Sequence, residues 1–236
     1  MPQKILFIHH STGANLLHQG EVRKILQKIN PEMELWDHSY NLYKHMSSFF
    51  AKFTFHTGLS SNKGRCTGTD YNIVLSNNSP KEYADILSRE PHDKTLRSIL
   101  KYDIIAFKNC YPTTKITSKK QLEEYKQYYE VIRNNIAKYK DKKFILVTPP
   151  PLRKELTKPI YAHNAQELVG WLNSDGYKKQ VSNLFIFDLF NLLADPSGYL
   201  KTNYNRLIPL DSHPNYEANK TISPIFAKYL SVVNQA

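Results

Sequence analysis

Three short stretches of this 236-residue chain carry residue types suited to acyl-transfer chemistry. The first is His9-His10-Ser11-Thr12-Gly13, just after an apolar run. A serine at the point where a strand must turn into a helix can present its hydroxyl at the sheet edge. The backbone N–H groups of that turn, Ser11 to Gly13, then face a developing oxyanion. The competing reading makes Ser11 an ordinary helix N-cap and Gly13 a residue that permits an unusual φ. The second stretch is Asp211-Ser212-His213-Pro214. A histidine on a proline-stiffened turn can accept a serine proton, while a carboxylate on its other ring nitrogen sets tautomer and orientation. Its ordinary pKa near ~6.5 makes it a usable base at neutral pH. Asp211 could instead cap the helix that follows. The third is Lys108-Asn109-Cys110-Tyr111. The Asn109 amide can complete an oxyanion hole, or serve only to form a turn.

The neighbours of these residues raise rival chemistries. Cys110 is an alternative nucleophile, although a free cysteine usually packs as a small hydrophobe. Lys108 shares a strand face with Ile104 and Ala106. It would either bind a substrate carboxylate or phosphate near the site, or snorkel past the sheet edge. His9, His10, Asp211 and His213 are metal-ligating types. Adjacent strand residues point to opposite faces, so His9 and His10 cannot easily share an ion, and no metal is expected. The first turn has neither GxGxxG nor a P-loop, which disfavours a nucleotide, and no cofactor is expected.

Such residues need a scaffold that brings them together, and the hydropathy pattern supplies one. Ile5–Ile8, Met33–Trp36, Ile104–Phe107, Phe144–Val147 and Leu184–Phe187 are short apolar runs of the kind buried on both faces of a parallel sheet. Helical periodicity connects them. It runs from Leu16 to Ile29, over Pro80–Arg89, His92–Leu100, Ser118–Tyr139 and Tyr161–Leu172, and from about Tyr216 to the end. In the last helix Ile222, Ile225, Phe226 and Leu230 form the expected inner face, with a kink at Pro224. Residues 38–80 are irregular, as in a loop that shapes a pocket or holds small elements. The expectation is one α/β domain over residues 1–236: a three-layer sandwich with a central parallel sheet of about five strands. Sites in such sheets lie at the carboxyl ends of the strands, where Ser11 and Asn109 stand.

Composition narrows the function classes. The apolar fraction of 41% and charged fraction of 22% are those of a globular chain, and no apolar run approaches membrane-spanning length. The chain carries 32 Lys+Arg against 21 Asp+Glu, a net +11, together with sixteen Tyr, which invites a nucleic-acid reading. Residues 101–160 hold fourteen Lys/Arg and six Asp/Glu, so most of the excess sits there. Much of it lies on one amphipathic segment. Leu122, Tyr125, Tyr129, Ile132 and Ile136 form its apolar stripe, with Lys119, Lys120, Lys126 and Lys138 around them. That is the pattern of a solvated helix face, and no nucleic-acid partner is expected. Cys66 and Cys110 could form one bridge but make no framework. The opening MPQKILFIHH is too short for a signal-peptide core. It fits a cytoplasmic chain, and equally an exported one whose signal has been removed.

Taken together, a serine after the first strand, an asparagine after a middle strand and Asp/His before the last helix form an order that resembles the SGNH (GDSL-like) hydrolase superfamily. His-His-Ser-Thr-Gly, Asp-His-Ser-Tyr-Asn at residues 37–41, Phe-Lys-Asn-Cys-Tyr-Pro and Asp-Ser-His-Pro-Asn are similar to a divergent branch of it. The resemblance implies a flavodoxin-like sheet and ester or acetyl-ester hydrolysis. It also implies Ser11 as nucleophile, His213 as base, Asp211 as its orienting carboxylate, and an oxyanion hole from Ser11, Gly13 and Asn109. His10, Lys108 and Asn41 would then contact substrate. Three departures stand out. His10 precedes Ser11 where the family has aspartate, and the second-block glycine has no clear counterpart, only Ser39 or Asn41 in the right stretch. Asp211 lies two residues before His213, where three is usual; the shorter spacing also occurs in related alginate O-acetylation enzymes. A small ester, such as an O-acetyl group on a carbohydrate, is the implied substrate, and transfer to a sugar hydroxyl is the nearest variant. The alternative from another class is a non-catalytic module of the same fold, holding an acidic glycan or nucleic acid on its basic rim.

Overall fold

The computed structural model describes residues 2–39, 58–73, 78–179 and 181–235. Its centre is a six-stranded sheet of β1 (Gln3–Ile8), β2 (Met33–His38), β3 (Leu59–Ser60), β4 (Ile104–Lys108), β5 (Lys143–Val147) and β6 (Leu184–Phe187), in the order β3-β2-β1-β4-β5-β6. The five longer strands are parallel, and β3 joins antiparallel through Asp37–Ser60 and His38–Leu59. The architecture is α/β, a flavodoxin-like three-layer sandwich. The sequence pattern predicts five strands, and all five form. The sixth is too short to carry any periodicity, and it lies inside the irregular stretch. Asn41 falls outside the described residues.

Alternation along the strands divides the core in two. Ile105 and Phe107 of β4 face one layer, built from α3 (Lys81–Leu87), α4 (Lys94–Ile99), α5 (Lys119–Ile136), α6 (Pro159–Asn173) and the short α7 (Asp175–Lys178). Ile104 and Ala106 face the other, built from α1 (Ser11–His18), α2 (Val22–Ile29), α8 (Leu189–Leu193) and α9 (Tyr216–Gln235). Both strand faces are buried, which is why the strands read as continuous apolar runs rather than alternating ones.

Several expected helices are adjusted. The periodicity from Leu16 to Ile29 covers two helices, broken around Gly20, with Glu21 in the left-handed region at φ 57°. A Cβ on Gly20 would sit 1.7 Å from Ser223 Oγ and 2.7 Å from the Leu16 carbonyl, so α1 and α9 meet there closely enough to need a glycine. Helix α5 begins at the expected place, with Ser118 Oγ accepting from the Gln121 N–H at 3.1 Å. All five stripe residues are buried. Its basic side is only partly free: Lys119 and Lys126 both pair with Glu167 of α6. Helix α9 continues through Pro224. Its buried face is Ala218, Ile222, Phe226, Ala227, Leu230 and Val233. Ile225, expected on that face, is 44% exposed: it stands three residues after Ile222 but at the edge of the buried arc, away from Phe226, Ala227 and Leu230. Cys66 and Cys110 form no bridge. Among the described residues no helix is long and apolar enough to cross a membrane.

Strand order reverses between β1 and β4, the neighbours at the sheet's centre. Crevices in open α/β sheets form at such a switch point, outside the carboxyl ends of the strands. Ser11 follows β1 there, and Asn109 follows β4.

Candidate active site

The turn after β1 is tight. His9 donates its backbone N–H to the His38 carbonyl at 3.0 Å, extending the sheet by one residue, and the chain enters α1 at Ser11. His10 is the N-cap residue, and its side chain makes no capping bond. Ser11 therefore does not cap the helix. It occupies the first helical position, where its N–H and those of Thr12 and Gly13 have no carbonyl one turn earlier to bond. The amide dipoles also favour negative charge at this end.

The Ser11 hydroxyl meets His213. Ser11 Oγ lies 2.6 Å from His213 Nε2, across 202 residues of sequence. The other ring nitrogen, Nδ1, contacts Asp211 Oδ1, and the same carboxylate oxygen accepts the His213 backbone N–H at 2.9 Å. The two-residue spacing thus suffices for Asp211 to reach the ring, because the turn folds the carboxylate back over the His213 amide. Asp211 does not cap α9; Asn215 does, its Oδ1 accepting from the Ala218 N–H at 2.9 Å. Arg206 holds the second Asp211 oxygen at 3.3 Å. Tyr111 packs edge-on against the imidazole, ring centres 5.1 Å apart.

Burial sets the electrostatics. It pushes the His213 imidazole below its ordinary value, against the opposing pull of Asp211, while the nearby charges of Arg206 and Lys108 push the same way as burial. At Asp211 burial favours the neutral acid. The bonds from the His213 N–H and ring, with Arg206, outweigh it and hold the carboxyl below the usual carboxylate range. At neutral pH this is a neutral imidazole between a hydroxyl and a carboxylate.

The remaining sequence candidates lie close by. Asn109 is buried after β4; its Nδ2 donates to the Ser79 carbonyl at 3.0 Å, and Tyr129 donates to its Oδ1 at 3.3 Å, so the amide plane is fixed. Cys110 is buried with Sγ 4.0 Å from Ser11 Oγ. Lys108 does not snorkel. It is 1% exposed, and its Nζ donates to Thr12 Oγ1 beneath the start of α1. Burial depresses its pKa, with Cys110 opposing. His10 is also buried, and its carbonyl accepts the Ala14 N–H at 3.0 Å.

Sequence reasoning missed the residues that buttress this group. Arg206 precedes Asp211 by five positions in an unpatterned loop. Arg153 reaches the same loop from the turn after β5: its N–H donates to Ser212 Oγ at 3.2 Å, and its Nη1 donates to the Ile208 carbonyl at 2.8 Å. Neither arginine stands in a local motif, so no sequence signal marks it.

No protein-family model matches the chain, and no curated protein matches its sequence. Solved structures do match in fold. One is described as "a putative platelet activating factor from Streptococcus pneumonia": 14% identity, TM-score 0.55, covering 98% of this chain and 85% of that one. Another is "a putative acylhydrolase" from Bacteroides fragilis NCTC 9343: 10% identity, TM-score 0.50, covering 99% and 87%. At these identities the likeness is one of fold.

Proposed function

We propose that the chain is a serine hydrolase of SGNH type that cleaves a small ester, with an O-acetyl group on a carbohydrate as the leading substrate class. The observation that carries this reading is the 2.6 Å approach of Ser11 Oγ to His213 Nε2, with Asp211 on the opposite ring nitrogen. Hydroxyl, imidazole and carboxylate in that order are what general-base activation of a nucleophile requires. The names of the two fold neighbours, an acylhydrolase and a platelet activating factor, fit an ester substrate.

In this reading His213 Nε2 takes the Ser11 proton as Oγ bonds to the ester carbonyl carbon, and the carbonyl π pair moves onto oxygen. The first-turn N–H groups of Ser11 and Gly13, with Asn109, face that oxyanion. The intermediate collapses, the C–O bond to the alcohol breaks, and His213 returns its proton to the leaving oxygen. Water, deprotonated by the same imidazole, then attacks the acyl carbon; the C–Oγ bond breaks, His213 returns the proton to Ser11 Oγ, and the acid leaves. Asp211 holds Nδ1–H throughout and stabilises the transient imidazolium. His10, Lys108 and Asn41 are the candidate substrate contacts; the burial of Lys108 favours an electrostatic contribution over an exposed docking point.

The test is turnover of p-nitrophenyl acetate and labelling by a fluorophosphonate between about pH 6 and 9. Both are expected in wild type, to fall at least ~10³-fold in Ser11→Ala and His213→Ala, and to survive in Cys110→Ala. Absence of labelling across that range, with salt-sensitive binding to an anionic glycan or nucleic acid, would select the non-catalytic module instead.

A further inference from the structure

Two histidines end neighbouring strands and are wired alike on one side. His9 Nδ1 lies 2.8 Å from the His10 carbonyl, and His38 Nδ1 lies 2.8 Å from the Ser39 carbonyl. Both are buried, at 1% and 0% exposure. A carbonyl can only accept, so each Nδ1 carries a proton. Their other nitrogens differ. His38 Nε2 receives the Tyr71 backbone N–H at 3.1 Å and also lies 3.3 Å from Asp70 Oδ1, so a donor and a carboxylate share that nitrogen. Burial pushes the His38 pKa down and favours the neutral ring, against the pull of Asp70. His9 Nε2 instead faces Asp37 Oδ2 at 2.9 Å. A carboxylate also only accepts, so His9 donates from both nitrogens.

We infer that His9 is a buried imidazolium paired with Asp37, and that it is the positioning residue that fixes the Ser11 turn. The kinetic half of this inference rests on the hydrolase reading above; the charge state does not. The Asp37 carboxyl is 1% exposed and is also paired with Arg23 of α2. Burial alone would favour its neutral form. The His9 bond and charge, then Arg23 and more distantly His18 of α1, hold it below the usual range instead. His38 is a further titratable group that interacts with His9, and Asp70 pairs with His38 in turn.

The geometry ties this pair to the nucleophile. The carbonyl that His9 grips belongs to His10, the N-cap residue of α1, whose side chain makes no capping bond. The same carbonyl accepts the Ala14 N–H, the first bond of the helix. The His9 ring thus holds the peptide immediately before Ser11, while Asp37 and Arg23 anchor the ring to β2 and α2. Packing tightens the hold: a Cβ on Gly13 would lie 2.3 Å from His9 Cβ and 2.6 Å from His9 Cγ, so α1 rests directly on this side chain. Phe7 closes the other side, ring centres 4.8 Å apart.

The experiment combines ¹⁵N NMR of the histidine rings with kinetics. Glutamine at position 9 cannot donate at two opposed points, so His9→Gln removes one anchor and also assigns the His9 resonances by their loss. Both His9 nitrogens are expected at proton-bearing ¹⁵N positions in wild type, as the two acceptors that face them require. His9→Gln is expected to lose about 10–100-fold in kcat and in fluorophosphonate labelling rate, with KM within about 2-fold, because the turn rather than the binding surface is displaced. Asp37→Asn offers an amide N–H to Nε2. It is expected to convert His9 to the neutral ring and to keep more kcat than His9→Gln, since Nδ1–H still grips the His10 carbonyl. A lone-pair ¹⁵N position for His9 in wild type overturns the charge assignment. A folded His9→Gln with wild-type kcat overturns the positioning role. Should His9→Gln fail to fold, imidazolium signals that persist in Asp37→Asn overturn the pairing. No turnover or labelling by wild type overturns the hydrolase reading and the kinetic half together, and the NMR result then decides the ion pair by itself.

Discussion

At the scale of single residues, the candidate site works through protonation states set by burial. His213 must be neutral to accept a proton, and burial lowers its pKa, so its charged form appears only below the ordinary value near ~6.5. The expected kcat/KM for ester cleavage therefore rises with pH along a single acid limb whose midpoint lies under ~6.5, and stays level above it. Arg206 contributes to that depression, so Arg206→Gln should move the limb to higher pH, which a pH–rate profile would read directly. A limb that moved down would argue against this electrostatic assignment. Gly13→Ala tests packing at the same scale: with His9 Cβ 2.3 Å from the new methyl, either α1 or His9 must shift. The expected result is lower stability and slower fluorophosphonate labelling together. Ser11, Asp211 and His213 were legible in the sequence because each sits in a short local motif beside a helix start. Arg206, Arg153 and Tyr111 were not, because their roles depend only on where distant loops come together.

Elements show the same division. The five parallel strands were legible because each is buried on both faces and leaves an unbroken apolar run. Helix α5 was legible because one stripe packs and the remainder does not. The break between α1 and α2 was missed, since the apolar positions continue across it; only the close approach of α9 requires it. Gly20→Ala places a methyl against Ser223 Oγ and the Leu16 carbonyl, and the carbonyl is backbone that cannot rotate away. A loss of about 1–3 kcal/mol is expected, measured by urea denaturation with an unchanged m-value. A neutral substitution would mean that α1 and α9 slide freely past one another. Strand β3 was missed for another reason: two residues cannot show a period.

For the whole molecule, Asp37 links the sheet, α2 and the turn before Ser11, so its ionisation bears on global stability. Its folded pKa lies below the unfolded value near ~3.9. Its contribution is therefore complete above that value and disappears as pH falls through the folded pKa. Asp37→Asn is expected to lose about 3 kcal/mol at neutral pH, and the gap to wild type should narrow below about pH 4, read by urea denaturation across pH. A constant gap would place the effect in packing rather than charge. The net charge of +11 changes meaning at this scale. Part of the basic excess on α5 is matched by Glu167 of α6, and Lys108 is buried near Ser11. Alternation of buried runs and helices determined, from the sequence alone, the five parallel strands, the helical layers and the strand ends after which Ser11 and Asn109 stand, because local hydropathy sets which faces must be covered. Only the tertiary structure decided that Ser11, His213 and Asp211 meet, that His9 and His38 face different partners, and that Lys108 turns inward. Those outcomes depend on which donor or acceptor another part of the chain brings within about 3 Å, and no local pattern encodes that distance.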